Sequence, residues 1–375
     1  MLIYGALFKC LDPCLTIAAT LSNRSPFLSP FDKRDEADEA RKAFAFQSSD
    51  HLTILNAYDE WQKMKSAGAD TRNFLRESFL SYTTLNNLVK MKAQFSDLLR
   101  EIGFLARRQR GRGRRESNEG GGDENSNSNN KALVKAVLCA GLYPNVVISP
   151  RDIGQKSVGE VSFKSLKGDV NLHPCSVLFK DSSLHSRFLV YHEIVKTSKI
   201  YIRDATAISP LALLLFGGNF NAYQQKGFVT VDDWIKFKCN AKTSTLIKHL
   251  RSQMEDMLLN KIVKPEDDIL NTKQGRTLVE SVAILLDEGE KNCFRVSGGG
   301  GEGGQASRSG QQQAKPGDWT CSACNCNNFA SRNKCFKCGQ SGGSGTTAQG
   351  RGGGRGRGRG GGRGGGRGGG RGGRY

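Results

Sequence analysis

Apolar residues recur at three- and four-residue intervals through the first hundred positions: Leu2, Ala6 and Leu7, then Leu15, Ala18 and Ala19, then Leu52, Leu55 and Tyr58, then Leu85, Leu88 and Met91. That period belongs to helices with one buried face, so residues 1 to about 105 read as all-α. The pattern collapses from Arg107 to Asn130, a run of Arg and Gly followed by Gly, Asn, Ser and acid that cannot bury enough apolar area to order. Residues 107–130 are therefore expected to form a disordered basic loop. Helical spacing resumes from Lys131 to Leu142, with Gly141 near the expected stop.

Beyond Asn145 the apolar runs shorten. Val146-Val147-Ile148, Val161-Ser162-Phe163, Ser176-Val177-Leu178-Phe179, Phe188-Leu189-Val190-Tyr191, Lys199-Ile200-Tyr201-Ile202 and Ile235-Lys236-Phe237 are separated by turn residues such as Gly154, Gly168-Asp169 and Asp181-Ser182-Ser183. Short strands punctuated in this way predict a small β-barrel. Leu246, Leu250, Met254, Met257 and Leu258, and then Leu278, Val282 and Leu285, return to helical spacing before a Gly-rich linker.

The first twenty residues are apolar, but Lys9, Asp12 and Pro13 interrupt them and no basic segment precedes them, so they read as core rather than as a signal peptide. Leu211 to Phe216 stops at Gly217-Gly218, far short of the roughly 18 apolar residues of a membrane span. A soluble protein of the cytoplasm or nucleus is expected, with an organelle not excluded.

A net charge of +19 over 375 residues favours a polyanionic partner, and residues 301–375 hold +11 of it. Nucleic acid is the leading candidate. Eleven cysteines are too scattered for a secreted disulfide scaffold, yet four fall in one cluster: Cys321-Ser322-Ala323-Cys324 and Cys335-Phe336-Lys337-Cys338. Two matched pairs present four thiolates to one tetrahedral ion, and Zn²⁺ is the expected cofactor. A segment of about 25 residues needs that metal to fold. Cys326 is left out of the site.

With its Asp318-Trp319 opening and Asn328 after the first pair, the segment resembles the Ran-binding-protein type of zinc finger. Some members of that family bind ubiquitin through a Thr-Phe pair after the first knuckle. Asn325-Cys326 stands there instead, which argues against ubiquitin. In the branch that binds single-stranded RNA, the resemblance gives an aromatic ring at Phe329, arginine positions at Ser331 and Arg332, and an acidic contact at Asp318; only Arg332 keeps its arginine. The residues themselves agree with that reading, since Phe329 on a polar loop offers a stacking face and Arg332 can bracket a guanine edge. A purely structural Phe329 is the alternative.

From Gln349 to Tyr375 the chain is almost all Gly and Arg, and Arg351, Arg355, Arg359 and Arg363 are representative candidate phosphate contacts. With no apolar side chains to bury, this tail is expected to be disordered. It resembles the arginine-glycine boxes of RNA-binding proteins.

The first 290 residues resemble the region after the motor in DEAH/DExH-box RNA helicases. The matching segments are Leu2-Ile3-Tyr4-Gly5-Ala6 with Leu11-Asp12-Pro13, Ser49-Asp50-His51-Leu52, Leu172-His173-Pro174-Cys175-Ser176, Tyr191-His192-Glu193 with Thr197-Ser198-Lys199, Arg203-Asp204-Ala205-Thr206, and Leu213 to Gly218, which the resemblance places in the barrel. The fold class expected is multidomain α+β: a helical ratchet domain, an OB-type barrel with C-terminal helices, a small zinc ribbon and a disordered tail. The expected boundaries are 1–25 for the end of a winged helix, 26–142 for the helical domain, 143–265 for the barrel and its following helix, 266–292 for a last helix, 293–315 for a linker, 316–340 for the finger and 341–375 for the tail.

No phosphate loop of the Gly-x-x-x-x-Gly-Lys-Ser/Thr type occurs in the sequence, so no motor and no catalytic residue are assigned. Asp35-Glu36-Ala37-Asp38 imitates a helicase motif, but no apolar strand precedes it, and it reads as the acidic first turn of a helix. His192-Glu193 lacks further ligands or a nucleophile and is assigned to barrel structure, while Lys196, Lys199 and Arg203 are the barrel's candidate phosphate contacts. The favoured function is binding of single-stranded RNA by the C-terminal portion of a DExH-type helicase, from a truncated product or from a relative without its motor. Truncation is favoured because Met1 falls inside a segment that should follow a winged helix. The alternatives are a longer product that is an active helicase, an adapter using barrel and finger for protein partners, and an enzyme of another kind. Helicase-activating proteins at the barrel are a further partner the resemblance implies.

Overall fold

The computed structural model describes residues 1–105, 123–150, 156–265, 272–297, 319–322, 327–328 and 333–334. Contacts divide the chain into two units, 1–301 and 302–375. The first opens with six helices: α1 (Leu2–Leu7), α2 (Leu11–Leu21), α3 (Arg34–Lys42), α4 (Asp50–Ser66), α5 (Thr71–Glu77) and α6 (Tyr82–Glu101). The all-α expectation holds, and Asp35 and Glu36 do lie in the first turn of α3, where carboxylates favour a helix dipole. The N-cap of α4 is Ser49, whose hydroxyl accepts the Leu52 amide at 3.1 Å, and the helix then buries Leu52, Leu55, Tyr58 and Trp61.

Helix α7 (Lys131–Leu142) runs through the middle of the main core and buries Ala132 to Cys139 without a polar face. It starts where Asn130 accepts the Leu133 amide at 2.9 Å. Lys135 is nevertheless inside the core, and it is paired with Glu290 at 2.5 Å. Burial of one such charge requires the other.

Strands β1 (Val146–Ile148), β2 (Ser162–Ser165), β3 (Gly168–Leu172), β4 (Phe188–Lys196) and β5 (Ile200–Ile208) close a barrel in the order β1-β2-β3-β5-β4, with β3 parallel to β5. Its interior is filled by Val147, Phe163, Val170, Leu172, Leu189, Tyr191 and Ile202. The barrel was expected, but its membership differs in several places. Ser176 to Phe179 is a run of turns, and Leu178 joins the barrel core from there without pairing. Gly168-Asp169, expected as a turn, begins β3 instead.

Leu213 to Gly218 is outside the barrel: α8 (Pro210–Phe216) caps on Ser209, starts with Pro210 and buries Ala212 to Phe216 in the main core. Ile235 to Phe237 belongs to a separate sheet, β6 (Phe220–Tyr223), β7 (Phe228–Val231) and β8 (Ile235–Lys238), in the order β6-β7-β8. Helices α9 (Ala241–Val263) and α10 (Lys273–Ser297) follow, as the periodicity predicts.

The end of α8 explains its glycines. Arg251 of α9 donates to the carbonyls of Leu214, Gly217 and Gly218 at 2.7 to 3.0 Å, satisfying groups a helix end leaves open. A Cβ on Gly217 would come within 2.4 Å of the Leu213 carbonyl oxygen, and one on Gly218 within 2.3 Å of the Asp232 carboxylate.

Part of the expected disordered loop is ordered. Residues 123–130 form a 3-10 turn and a tether, because Asn127 donates its amide to the Lys9 carbonyl at 2.8 Å and its side chain to the Phe8 carbonyl at 3.0 Å. Residues 107–122 lie outside the described residues, as do 151–155, 266–271 and the expected tail. Among the described residues no helix is long and apolar enough to cross a membrane.

Candidate nucleic-acid interface

Between the helices and the barrel lies a cleft of about 680 Å³. Its walls are the end of α2 with the following segment to Ser29, the inner side of α3, the start of α4, the segment after β3, and strands β4 and β5. Arg24, Arg41, Arg203, His173 and His192 bring cationic or polar tips to it, and Asp38, Glu193 and Asp204 bring acids.

One carboxylate holds the walls together. Asp50, 1% exposed at the start of α4, accepts from the Ser176 hydroxyl at 2.7 Å, the Val177 amide at 2.8 Å and the Ala205 amide at 2.9 Å. Arg41 of α3 lies 3.6 Å from the same carboxylate, donates to the Cys175 carbonyl, and stacks over Phe27 with 4.9 Å to the ring centroid. Burial pushes the Asp50 carboxyl up, and the Arg41 charge and the Ser176 and Val177 donors oppose that shift. Beside it, His51 Nδ1 and Thr206 Oγ1 are 2.8 Å apart, and Ser49 Oγ meets the same hydroxyl at 2.8 Å. Burial pulls the His51 imidazole down to about 4, so it is neutral near pH 7.

The structure brings Arg203 to the cleft, where it pairs with its cross-strand neighbour Glu193 at 3.3 Å while its side chain stays 43% exposed. Lys196 and Lys199 are exposed at the far end of the same β4–β5 hairpin, where the Thr197 amide donates to the Lys199 carbonyl at 2.9 Å. His192-Glu193 lies on β4 at the cleft wall, and Glu193 is used in that ion pair.

Sequence reasoning overlooked Arg24 and Arg41. Arg41 sits in the acidic α3 sequence, and only its position four residues after Ala37, the buried residue of that helix, hints that it faces inward. Its Nε and His51 Nε2 are buried with no hydrogen-bond partner.

In the second unit, β9 (Trp319–Thr320) pairs antiparallel with β10 (Asn327–Asn328), and Cys321 follows β9 with 1% exposure. A buried thiol at the foot of a two-stranded hairpin fits the first ligand of a zinc knuckle. Cys324, Cys335, Cys338, Asp318, Phe329, Arg332 and the tail arginines Arg351, Arg355, Arg359 and Arg363 lie outside the described residues.

Comparison with known proteins finds four matching segments. Residues 1–54 match the helicase associated domain (HA2), ratchet-like; 134–220 match the oligonucleotide/oligosaccharide-binding (OB)-fold; 227–288 match the C-terminal domain in RNA helicases; and 315–340 match the Zn-finger in Ran binding protein and others. The chain is 39% identical over 290 residues to ATP-dependent DNA/RNA helicase DHX36 of Mus musculus, a match covering 76% of this chain and 28% of that protein. It is 38% identical over 288 residues to DExH-box ATP-dependent RNA helicase DExH1 of Arabidopsis thaliana, covering 76% and 27%, and 34% identical over 288 residues to ATP-dependent RNA helicase DHX29 of Homo sapiens, covering 75% and 20%. The chain thus spans about a quarter of the length of the curated relatives it matches. Its body is similar, domain for domain, to the C-terminal region of the DExH-box RNA helicases, and near its other end it carries a zinc finger of the Ran-binding-protein type.

Proposed function

We propose that this chain binds single-stranded RNA, with the cleft between α3, α4 and the β4–β5 hairpin as the strand's seat in the body. The observation that carries the reading is the convergence of Arg24, Arg41 and Arg203 on one cleft where a ratchet-type helical segment meets an OB-type barrel. Guanidiniums there can pair with phosphates, and the unpartnered Arg41 Nε and His51 Nε2 belong to residues of the same walls. Lys196 and Lys199 would extend the phosphate track along the hairpin.

In the second unit, Cys321, Cys324, Cys335 and Cys338 would hold one zinc, which supplies the folding energy of the finger. Phe329 would stack on a base, with Arg332 and Asp318 contacting its edge, and the tail arginines, Arg351, Arg355, Arg359 and Arg363 among them, would add sequence-independent phosphate contacts. The expected domain division stands as part of this proposal, as does ATP-driven unwinding by any longer product that carries a motor. Helicase-activating proteins remain proposed partners of the barrel. A protein-docking role is the second reading, favoured by the exposed Leu246, Leu259, Ile262 and Ile284 of α9 and α10.

Titration of a fluorescent oligouridine at several salt concentrations tests the main reading. Lys196→Glu/Lys199→Glu should weaken binding and flatten the salt dependence by about two phosphate contacts. Unchanged affinity and slope in that variant and in Arg203→Glu would remove RNA from the cleft.

A further inference from the structure

The sheet β6-β7-β8 has two unlike faces. Val229, Val231 and Ile235 on one side are buried in the main core, with Phe237 packed against them. Side chains alternate along a strand, so Phe228, its cross-strand partners Tyr223 and Lys238, and Lys236 stand on the other side. There the Tyr223 and Phe228 rings stack with centroids 4.9 Å apart and planes inclined by 30°. The Lys226 ammonium lies 5.9 Å from the Tyr223 centroid and the Lys236 ammonium 5.6 Å from that of Phe228. Tyr223 is 40% exposed, and Lys226, Lys236 and Lys238 are all exposed.

A stacked cross-strand pair flanked by lysines can serve simply to stabilise a hairpin. The charge balance of this face asks for more. The sheet's acids, Asp232 and Asp233, sit in the β7–β8 turn and are used locally. Asp232 accepts the Asn219 amide at 2.7 Å and the Tyr143 hydroxyl, and Asp233 accepts the Asn221 side chain at 3.0 Å, the Thr230 hydroxyl at 3.0 Å and, at the edge of the Tyr223 ring, the Tyr223 hydroxyl at 3.5 Å. Among the described residues no carboxylate forms an ion pair with Lys226, Lys236 or Lys238, which leaves a cationic rim around an aromatic centre. An anionic partner with flat apolar faces fits both features, and an unpaired nucleic-acid strand has both.

We propose that the outward face of β6-β7-β8 is a second platform for single-stranded RNA. Tyr223 and Phe228 stack bases there, and Lys226, Lys236 and Lys238 pair with the flanking phosphates. The Asn221 amide is held by Asp233, so the platform offers no free edge-reading group at its centre and is tolerant of sequence. The inference rests on the reading of this protein as an RNA binder but uses none of the cleft residues.

Ultraviolet crosslinking of the full chain to a uridine decamer, with crosslinked peptides mapped by mass spectrometry, tests it together with salt titrations. Crosslinks are expected within residues 220–238. Lys236→Glu/Lys238→Glu should abolish them and lower affinity about five- to tenfold with a flatter salt slope, whereas Tyr223→Ala should abolish them at an unchanged slope. Circular dichroism identical to the parent chain establishes that each variant is folded, and Lys236→Arg/Lys238→Arg should restore the crosslink. Crosslinks at Arg203 or the β4–β5 hairpin with none in 220–238 would overturn the platform and keep the cleft. Crosslinks in 220–238 alone would support the platform and remove the cleft, and their absence from both places would overturn both.

Discussion

The carboxylate of Asp50, at the start of α4, accepts the backbone amide of Ala205 on β5 at 2.9 Å, across 155 positions of sequence. Through this bond and those to Ser176 and Val177, one buried charge fixes where the helices meet the barrel, and so sets the width of the cleft. Asp50→Ala should strand three donors and the Arg41 guanidinium, and we expect a loss of about 3–5 kcal/mol in urea unfolding of the body. A loss below about 1 kcal/mol would show that the junction is held elsewhere.

His51 gives the body an acid-sensitive joint. Its folded value, about 4, lies below the ordinary 6.5, so the unfolded chain takes up the proton first as pH falls, and stability drains away between about 6.5 and 4. The expected loss from pH 7 to pH 5 is about 2 kcal/mol from this group. Raised carboxyls such as Asp50 act in the opposite direction, so the comparison should be made against His51→Asn, which keeps a polar atom for Thr206. Denaturant melts at the two pH values should show a smaller pH effect in the variant; equal effects would clear His51 of the role.

Gly217→Ala should destabilise the body by about 1–3 kcal/mol, because its Cβ would meet a helix carbonyl at 2.4 Å rather than a side chain able to turn away. Thermal unfolding measures it. Arg251→Ala should also destabilise, since three carbonyls lose their donor at once.

For the finger, Cys335→Ser should abolish binding of one zinc per chain and leave the thermal transition of residues 1–301 unchanged. Metal analysis after dialysis, paired with calorimetry, reads both. Retained stoichiometry would reject the four-cysteine assignment.

Deletion of residues 349–375 should weaken binding to every RNA sequence alike and flatten the salt dependence, whereas Phe329→Ala should cost about 1–3 kcal/mol at a nearly unchanged slope. Salt-dependent titrations of the two variants separate the contributions. An unchanged affinity for Phe329→Ala with zinc retained would make that ring structural.

The helices were legible because α4, α6 and α7 announce themselves through apolar spacing; the side chains of Ser49, Ser81 and Asn130, which accept amides at their starts, emerged only with the structure. Most of the strands that were legible have short runs of apolar or β-branched residues between turn signals. β3 went unseen because Gly168-Asp169-Val170-Asn171-Leu172 carries two apolar residues and opens like a turn. Ser176 to Phe179 misled in the opposite direction: its apolar run fills the barrel core from a turn, and burial alone does not specify extended backbone. Of the cleft, Arg203 was readable as a cation on a strand. Arg41 was not, because its role depends on Asp50 and on the carbonyl of Cys175, far along the chain.

The tether at Asn127 bears on how this gene product can be altered. With Leu105 packed in the core and Asn127 sealed to Phe8 and Lys9, the span between them is closed at both ends by contacts that do not depend on its own length. A reporter or affinity tag inserted between Leu105 and Asn127 leaves both anchors in place, because each is made by residues outside the interval.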